Sequence, residues 1–402
     1  MNPPSTVPTN QGLFSRGMKA LLIAQFISAL ADNALLFAAI ALMKSQFYPD
    51  WTIPLLQEFF VIAFILFAPF VGPIADAFPK GRVMLYSNAI RLSGVSAMLF
   101  GVPPLICYGI VGLGAAAYSP AKYGILRQLV DTQYLVKANS MVEGSTIVAI
   151  LIGAVLGGQL ADYSVSLALG FVAGCYATAM LVNLFIPRLP VVHPLTSFDP
   201  FVLTQDFAQA LMRLFRIRDA RFSLVGTSLF WGSGATLRFM LVAWVPVALG
   251  IQSNSMPANL SGVVAIGIAL GAFAAARFVT LENVNRVLLA GITSGVLVMA
   301  LSHTTDFRTS VGILIGIGLC GGFFAVPLNA LLQEKGHETV GAGHAIAVQN
   351  FGENLAMLLL LGAYILLIRA GLAVPVAGAA VGGLLLAGML LLAVGRLSQS
   401  RR

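Results

Sequence analysis

The sequence predicts an all-α membrane protein with twelve transmembrane helices in two pseudo-symmetric six-helix bundles. Of its 402 residues, 58% are hydrophobic and only 9% are charged, against roughly 25% charged in soluble domains. Twelve stretches reach the ~20 apolar residues that a spanning helix needs: 18–43, 53–75, 83–102, 104–122, 138–161, 165–187, 222–249, 258–278, 287–303, 310–332, 343–368 and 373–395. One long polar interval, 188–221, divides them six and six. The apolar runs are too long, and lack the period-two alternation, for a β-barrel. The expected units are therefore 1–187, a linker at 188–221, and 222–402.

Reading along the chain, MNPPSTVPTNQGLFSRG has no basic region followed by an apolar core, so no cleaved signal peptide is expected. With both termini cytoplasmic, eighteen Lys and Arg residues fall on the inner side and three (Lys44, Arg308, Arg369) on the outer. That asymmetry is the positive-inside pattern, and it requires an even number of spans. The net charge of +8 is thus a topology signal, and no nucleic-acid role is expected. Two bases, Arg91 and Arg238, are left inside predicted spans. Cys107, Cys175 and Cys320 all lie within spans and read as small buried residues rather than metal ligands. No cofactor is implied.

The linker carries FVLTQDFAQALMRLFRIRD, with apolar residues at Phe201, Leu203, Phe207, Leu211, Leu214 and Phe215. This spacing predicts an amphipathic helix at the inner membrane surface, anchored beside snorkelling arginines. On either side of it features repeat. GLGAAAYSPAKYGIL (112–126) ends the fourth span and GLCGGFFAVPLNALL (318–332) the tenth, so Pro120 and Pro327 align at an offset of 207. Each is followed by a span bearing an acid, Glu143 or Glu353. Between the second and third spans stands GPIADAFPKGR, with Gly72, Asp76, Lys80 and Arg82. This resembles the inner-loop signature of the major facilitator superfamily, which with the six-plus-six layout implies that superfamily's fold. Asp76 then suits an inner latch, while a plain helix-capping turn is the simpler alternative. The matching second-half loop, RFVTLENVNR, lacks the pattern.

Asp32 and Asn33 interrupt QFISALADNALLFAAIAL in the first span. A charge at mid-bilayer costs at least ~2.5–3.5 kcal/mol, so it needs a partner or a wet cavity. The repeat offset brings Asp32 to Arg238 in SLFWGSGATLRFMLVAWVP, midway along the seventh span. Two readings stand: a permanent ion pair between the bundles, or a headgroup and gating site in which the two bind opposite charges or exchange partners. Asn33 and Thr236 can add hydrogen bonds there. Lys122, Glu143 and Glu353 form a second tier, divided between interhelical bonding and substrate contact. Gly153, Gly157 and Gly158 make a small-residue face for close packing.

The strings ADNALLFA, SPAKYGIL, GTSLFWG with TLRF, VPLNALLQE and AVQN with GEN resemble the lysophospholipid transporter family of the Gram-negative inner membrane, over roughly residues 12–394. The resemblance implies movement of lysophosphatidylethanolamine and lysophosphatidylglycerol from the outer to the inner leaflet of the bacterial inner membrane. It further implies re-acylation there by a separate acyltransferase/acyl-ACP synthetase, with membrane lipids as surroundings and a monomer as the working form. A phosphate needs a cation and an ethanolamine an acid, which Arg238 and Asp32 can supply. Phe230, Trp231, Phe239 and Trp244 can line a path for the tail. A glycerol headgroup has no amine, which favours a gating share for Asp32. The alternative is a proton-coupled small-molecule exporter with Asp32 or Glu143 as proton carrier. No enzyme is expected, because none of His193, His303, His337 and His344 has an acid five residues on, as a His-x4-Asp acyltransferase needs.

Overall fold

A computed structural model describes residues 15–130, 135–191, 199–280, 283–340 and 342–398, and those residues contain helices and no strand. The first half comprises α1 (Arg16–Ser45), α2 (Leu55–Ala77), α3 (Lys80–Leu99), α4 (Pro104–Gly124), the single turn α5 (Leu126–Leu129), α6 (Leu135–Tyr163) and α7 (Val165–Asn183). After α8 (Pro200–Arg216) follow α9 (Arg218–Trp244), α10 (Ser255–Phe278), α11 (Val287–Ser302), α12 (Phe307–Thr339), α13 (Ala342–Arg369) and α14 (Val374–Ser398). Each expected span coincides with one long helix, and α9 begins at Arg218, inside the stretch read as linker.

Eleven of these helices, among the described residues, are long and apolar enough to cross a membrane by themselves. The twelfth is α3, whose Lys80, Arg82 and Arg91 dilute its apolar character. Its 20 residues still reach about 30 Å at 1.5 Å per residue. Local chemistry sets several ends. Ser15 caps α1 through the Met18 N–H, and Asp306 caps α12 by accepting from Thr309 N at 2.8 Å. Asp199 does the same for α8, where Pro200 occupies the first turn. After α9 the chain widens into a π-helical turn, Val245–Leu249, and stops at Gly250, whose φ of 68° suits glycine.

The helix contacts repeat between halves. In the first, α1 packs on α6 and α7, α2 on α4, and α3 on α4 and α7. In the second, α9 packs on α13 and α14, α10 on α12, and α11 on α12 and α14. Pro120 and Pro327 accordingly lie inside matching helices, α4 and α12. Close backbone approach is what the small residues provide. A Cβ on Gly157 would stand 2.5 Å from the Ala34 carbonyl oxygen of α1, and one on Gly158 would stand 2.6 Å from Ala258 Cβ of α10. The expected glycine face therefore serves two contacts, one within its half and one across to the other.

The halves touch chiefly along two seams, α6 with α10 and α2 with α13. One face of the molecule carries the start of α1, the end of α14 and most of the described Lys and Arg; it is called the basic face here, and its opposite the far face. Toward the far face a single apolar core runs through both halves, joining Leu36, Ile40 and Tyr176 with Leu241, Trp244, Ala258 and Leu361. The α6–α10 seam is pinned there by Asp162, which accepts from Asn254 N at 2.8 Å and Ser255 N at 2.9 Å. Toward the basic face the cores are separate: Met18, Met84, Tyr118 and Leu129 in the first half, Phe222, Phe324, Leu328 and Met389 in the second. The molecule is thus sealed at the far face, while at the basic face the two bundles keep their own cores and are bridged through α8.

The linker helix differs from the expectation of a surface helix alone. Phe207, Ala210 and Leu214 of α8 are buried with Ala68 of α2 and Leu332, Ala345 and Val348 of the second half. Phe207 meets Phe351 edge-on at 5.5 Å. Of its large apolar residues, Phe201, Val202, Met212 and Phe215 remain exposed. The buried stripe docks the helix on both halves, and the remaining apolar residues, with exposed Arg213 and Arg216, are left for a membrane surface.

Candidate functional site

Asp32 and Asn33 lie midway along α1, both half-buried. The Asp32 carboxylate accepts a hydrogen bond of 2.6 Å from the Tyr176 hydroxyl of α7. Its other oxygen stands 3.2 Å from Nη1 of Arg91 on α3, as an ion pair without hydrogen-bond alignment. The Arg91 guanidinium lies over the Tyr118 ring at 4.7 Å and the Tyr176 ring at 6.0 Å, a favourable setting for a desolvated cation. Lys122, buried at the end of α4, is within electrostatic reach of Asp32, and its Nζ stands 4.3 Å over Tyr123. Behind them Ser28 donates to Asn88 at 3.1 Å and Gln25 to Thr146 at 2.9 Å, tying α1 to α3 and α6.

Arg238 is half-buried on α9 and makes no ion pair among the described residues. Tyr108 of α4 is within electrostatic reach of both Asp32 and Arg238, which places acid and base in one neighbourhood of the interior. Of the two readings that the repeat offset left open, the permanent Asp32–Arg238 pair is not formed in this structure, where the acid pairs with Arg91 instead. The reason is packing: α3 and α7 enclose the acid within its own half, whereas α9 rests on α12, α13 and α14.

The remaining expected residues separate into three groups. Asn33 donates to the Ala29 carbonyl at 2.8 Å, and Thr236 to the Gly232 carbonyl at 2.8 Å. Those donors bond their own helices, as Ser and Thr do within membrane helices. Glu353 is buried on α13 and accepts from Gln349 at 2.7 Å, while Gln349 also donates to Asn329 of α12 at 2.7 Å. Around the junction of α2 and α3, Gly72 in the last turns of α2 has open space beside it, Lys80 at the start of α3 is buried and donates to the Ala75 carbonyl at 3.1 Å, and Arg82 is exposed. Lys80 therefore satisfies a carbonyl at the end of α2. The side chains of Asp76 and Glu143 lie outside the described residues, although both positions belong to helices.

Sequence reasoning missed Arg91 and Tyr176. Arg91 carried a readable signal, as one of two bases left inside spans, but Tyr176 had none, since aromatic residues are common in such helices. No motif marks Glu58 either, yet it is 5% exposed in the first turn of α2 and faces α13 near Gly362. Neither of its carboxyl oxygens has a hydrogen-bond partner among the described residues. Within those same residues no three His, Cys, Asp or Glu side chains gather as a metal would need.

Comparison with known proteins agrees with the helix arrangement. A family model of the Major Facilitator Superfamily matches residues 21–361. The lysophospholipid transporter LplT of Enterobacter sp. (strain 638) is 57% identical over 374 residues, covering 93% of this chain and 94% of that protein. LplT of Shigella boydii serotype 4 is 55% identical over 379 residues, covering 94% and 96%. Among solved structures, a POT family transporter in complex with 5-aminolevulinic acid superposes with a TM-score of 0.74 at 13% identity, covering 96% of this chain and 97% of its own. A bacterial homologue of the human lysosomal transporter Spinster gives 0.71 at 14%, covering 96% of each. Two halves of matching helix order, an interior charge cluster and similarity along nearly the whole chain lead to one conclusion: the chain belongs to the major facilitator superfamily and, within it, to the lysophospholipid transporter LplT family.

Proposed function

We propose that this protein moves lysophosphatidylethanolamine and lysophosphatidylglycerol from the outer to the inner leaflet of the bacterial inner membrane by alternating access. The basic face is cytoplasmic in this reading. Residues 1–187 and 222–402 are the moving bundles, and 188–221 connects them. A separate acyltransferase/acyl-ACP synthetase re-acylates the delivered lipid, and the transporter works as a monomer.

The observation that carries the reading is the contrast between Asp32 and Arg238. Asp32 is already engaged by Arg91 and Tyr176, whereas Arg238 has no carboxylate on it among the described residues. A guanidinium fork without an anion suits a phosphate oxyanion. Because Asp32 has its own partners, the site does not depend on a substrate amine, and a glycerol headgroup is tolerated. Asp32 then acts mainly as a gate, holding α1 against α3 and α7, with Lys122 within electrostatic reach and Glu143 as a further gating residue on α6. Glu353 and Gln349 brace the cavity wall of the second half, with Asn33 and Thr236 in supporting positions, and Asp76 with Lys80 and Arg82 latches the basic face when it closes. An acyl tail needs a lateral apolar path, and a groove of about 510 Å³ between α6 and α10, lined by Leu151, Val155, Gly262 and Ile266, offers one.

Leaflet translocation of labelled lysophospholipid in spheroplasts lacking their native transporter tests this. Loss of the Arg238–phosphate contact removes a charge-assisted hydrogen bond of about 1.5–3 kcal/mol, so Arg238→Ala should slow both substrates at least about tenfold. Asp32→Asn should impair both headgroups alike, since its role is not amine recognition. The swap of Asp32 to Arg with Arg238 to Asp should not rescue, because it sets two cations side by side at Arg91. Wild-type rates for Arg238→Ala and Asp32→Asn would sink the assignment. Transport abolished by a collapsed proton gradient, without lysolipid movement, would instead favour a proton-coupled exporter.

A further inference from the structure

A second charged site lies away from the central cluster, at the basic-face end of the second half. Where α8 gives way to α9, a cavity of about 510 Å³ opens among Arg218, Asp219, Asn285, Lys335, Glu338 and Arg396. The positions come from four elements: the start of α9, the short turn before α11, the end of α12 and the end of α14. Arg396 is held in place by bonds to Asp219 at 2.5 Å and Asn285 Oδ1 at 2.9 Å, with its guanidinium stacked 4.8 Å over Phe222. Lys335 contacts Glu338 at 3.0 Å, which uses one of its three donors. Arg218 is fixed by donating from Nη2 to the Arg396 carbonyl at 2.8 Å. Its Nε–H, shielded from solvent, finds no acceptor among the described residues.

Three bases and two acids line this cavity, so it carries one uncompensated positive charge. Glu334 is within electrostatic reach of Lys335 but does not line the space. Among the described residues, donors without an acceptor remain on Arg218, Lys335, Arg396 and the Asn285 amide, all of which suit oxyanion oxygens. Exposed apolar side chains stand on the same helices within a turn or so: Leu289 on α11, Val394 and Leu397 on α14. Leading into the cavity is α8, with exposed Phe201, Met212 and Phe215 beside Arg213 and Arg216. An apolar flank, a basic interfacial helix and a cavity of net charge +1 together describe a headgroup site. We infer that this cavity binds the phosphate of an anionic phospholipid from the leaflet at the basic face, with its chains lying over Leu289, Val394 and Leu397. Such pockets between helices are a known form of lipid recognition at the cytoplasmic side. The site lies outside the interior cluster and does not rest on the transport reading.

The test is native mass spectrometry of the full-length protein in detergent, titrated with dioleoylphosphatidylglycerol or dioleoylphosphatidylcholine. The wild type should take one phosphatidylglycerol about tenfold more tightly than phosphatidylcholine, the effect of a single charge-assisted bond. Arg218→Gln and Lys335→Gln should each remove that preference and leave phosphatidylcholine binding unchanged. Because Lys335 is partly exposed, its variant is expected to fold even if Arg218→Gln does not. Removing equal charge on α8, as Arg213→Gln with Arg216→Gln, should change the preference less than about twofold. The inference is overturned if the two lipids bind alike, if Lys335→Gln keeps the preference, or if the α8 variant loses it as fully. Displacement by glycerol 3-phosphate at equal concentration would identify a soluble phosphate site and likewise overturn the lipid assignment.

Discussion

At the scale of single residues, the decisive finding is the identity of the partner of Asp32. A buried ion pair contributes little net stability, because desolvation offsets attraction, but removing one member leaves an uncompensated charge and costs about 3–5 kcal/mol. Arg91 is 2% exposed and has its ring contacts as well as the acid, so Arg91→Met should lower the thermal stability of the detergent-solubilised protein by that order. Combining it with Asp32→Asn should recover part of the loss, since neither charge then stands alone. A double mutant as unstable as the sum of the singles would show that the two residues do not interact. The sequence supplied the need for a partner at Asp32 and placed Arg91 inside a span. It could not say that the tyrosine of α7 and the arginine of α3 would reach the acid before Arg238 did.

At the scale of helices, the seams between the halves hold particular interest. Asp162, at the end of α6, caps the start of α10 in the other half by accepting from two backbone N–H groups. Asn254, the residue that precedes α10, makes no side-chain cap of its own. A cap of this kind contributes about 0.5–2 kcal/mol, so Asp162→Ala should raise the ratio of far-face-open to closed molecules by about 2- to 30-fold. Alkylation of a cysteine placed at Leu151 would report it, and an unchanged rate would remove Asp162 from the seam. The spanning helices were legible from hydrophobic length, and α8 from the 3.6-residue period that fits its apolar residues. The burial of Phe207 and Leu214 against both halves was not legible, since the same stripe would serve equally on a lipid surface.

At the scale of the whole molecule, a core shared by both halves at the far face, with α8 bridging the bundles' own cores at the basic face, is one end of the proposed alternating-access cycle. That proposed cycle needs the opposite arrangement too, in which the α6–α10 seam parts. A Cβ on Gly262 would stand 3.6 Å from Val155 Cγ2. Val155→Cys with Gly262→Cys, in a background lacking Cys107, Cys175 and Cys320, should therefore crosslink under oxidation and arrest lysolipid movement, with reductant restoring it. Crosslinked protein that transports at the uncrosslinked rate would show that this seam stays shut throughout. The two-fold layout was visible beforehand in the spacing of Pro120 and Pro327, and the contacts of α1–α7 and α9–α14 repeat in the same order.

What the sequence by itself determined is what the bilayer tests locally: how many stretches are apolar enough to cross, which loops are basic, and which residues bear a charge where none is cheap. Each depends on a short window of chain and a fixed solvent thickness. Only the tertiary structure decided which charge meets which, that α8 is docked rather than afloat, and which face is sealed. Those outcomes depend on how distant helices pack, through close approaches such as Gly157 on Ala34 and Gly158 on Ala258, and a repeat offset cannot choose between a partner on α9 and one on α3.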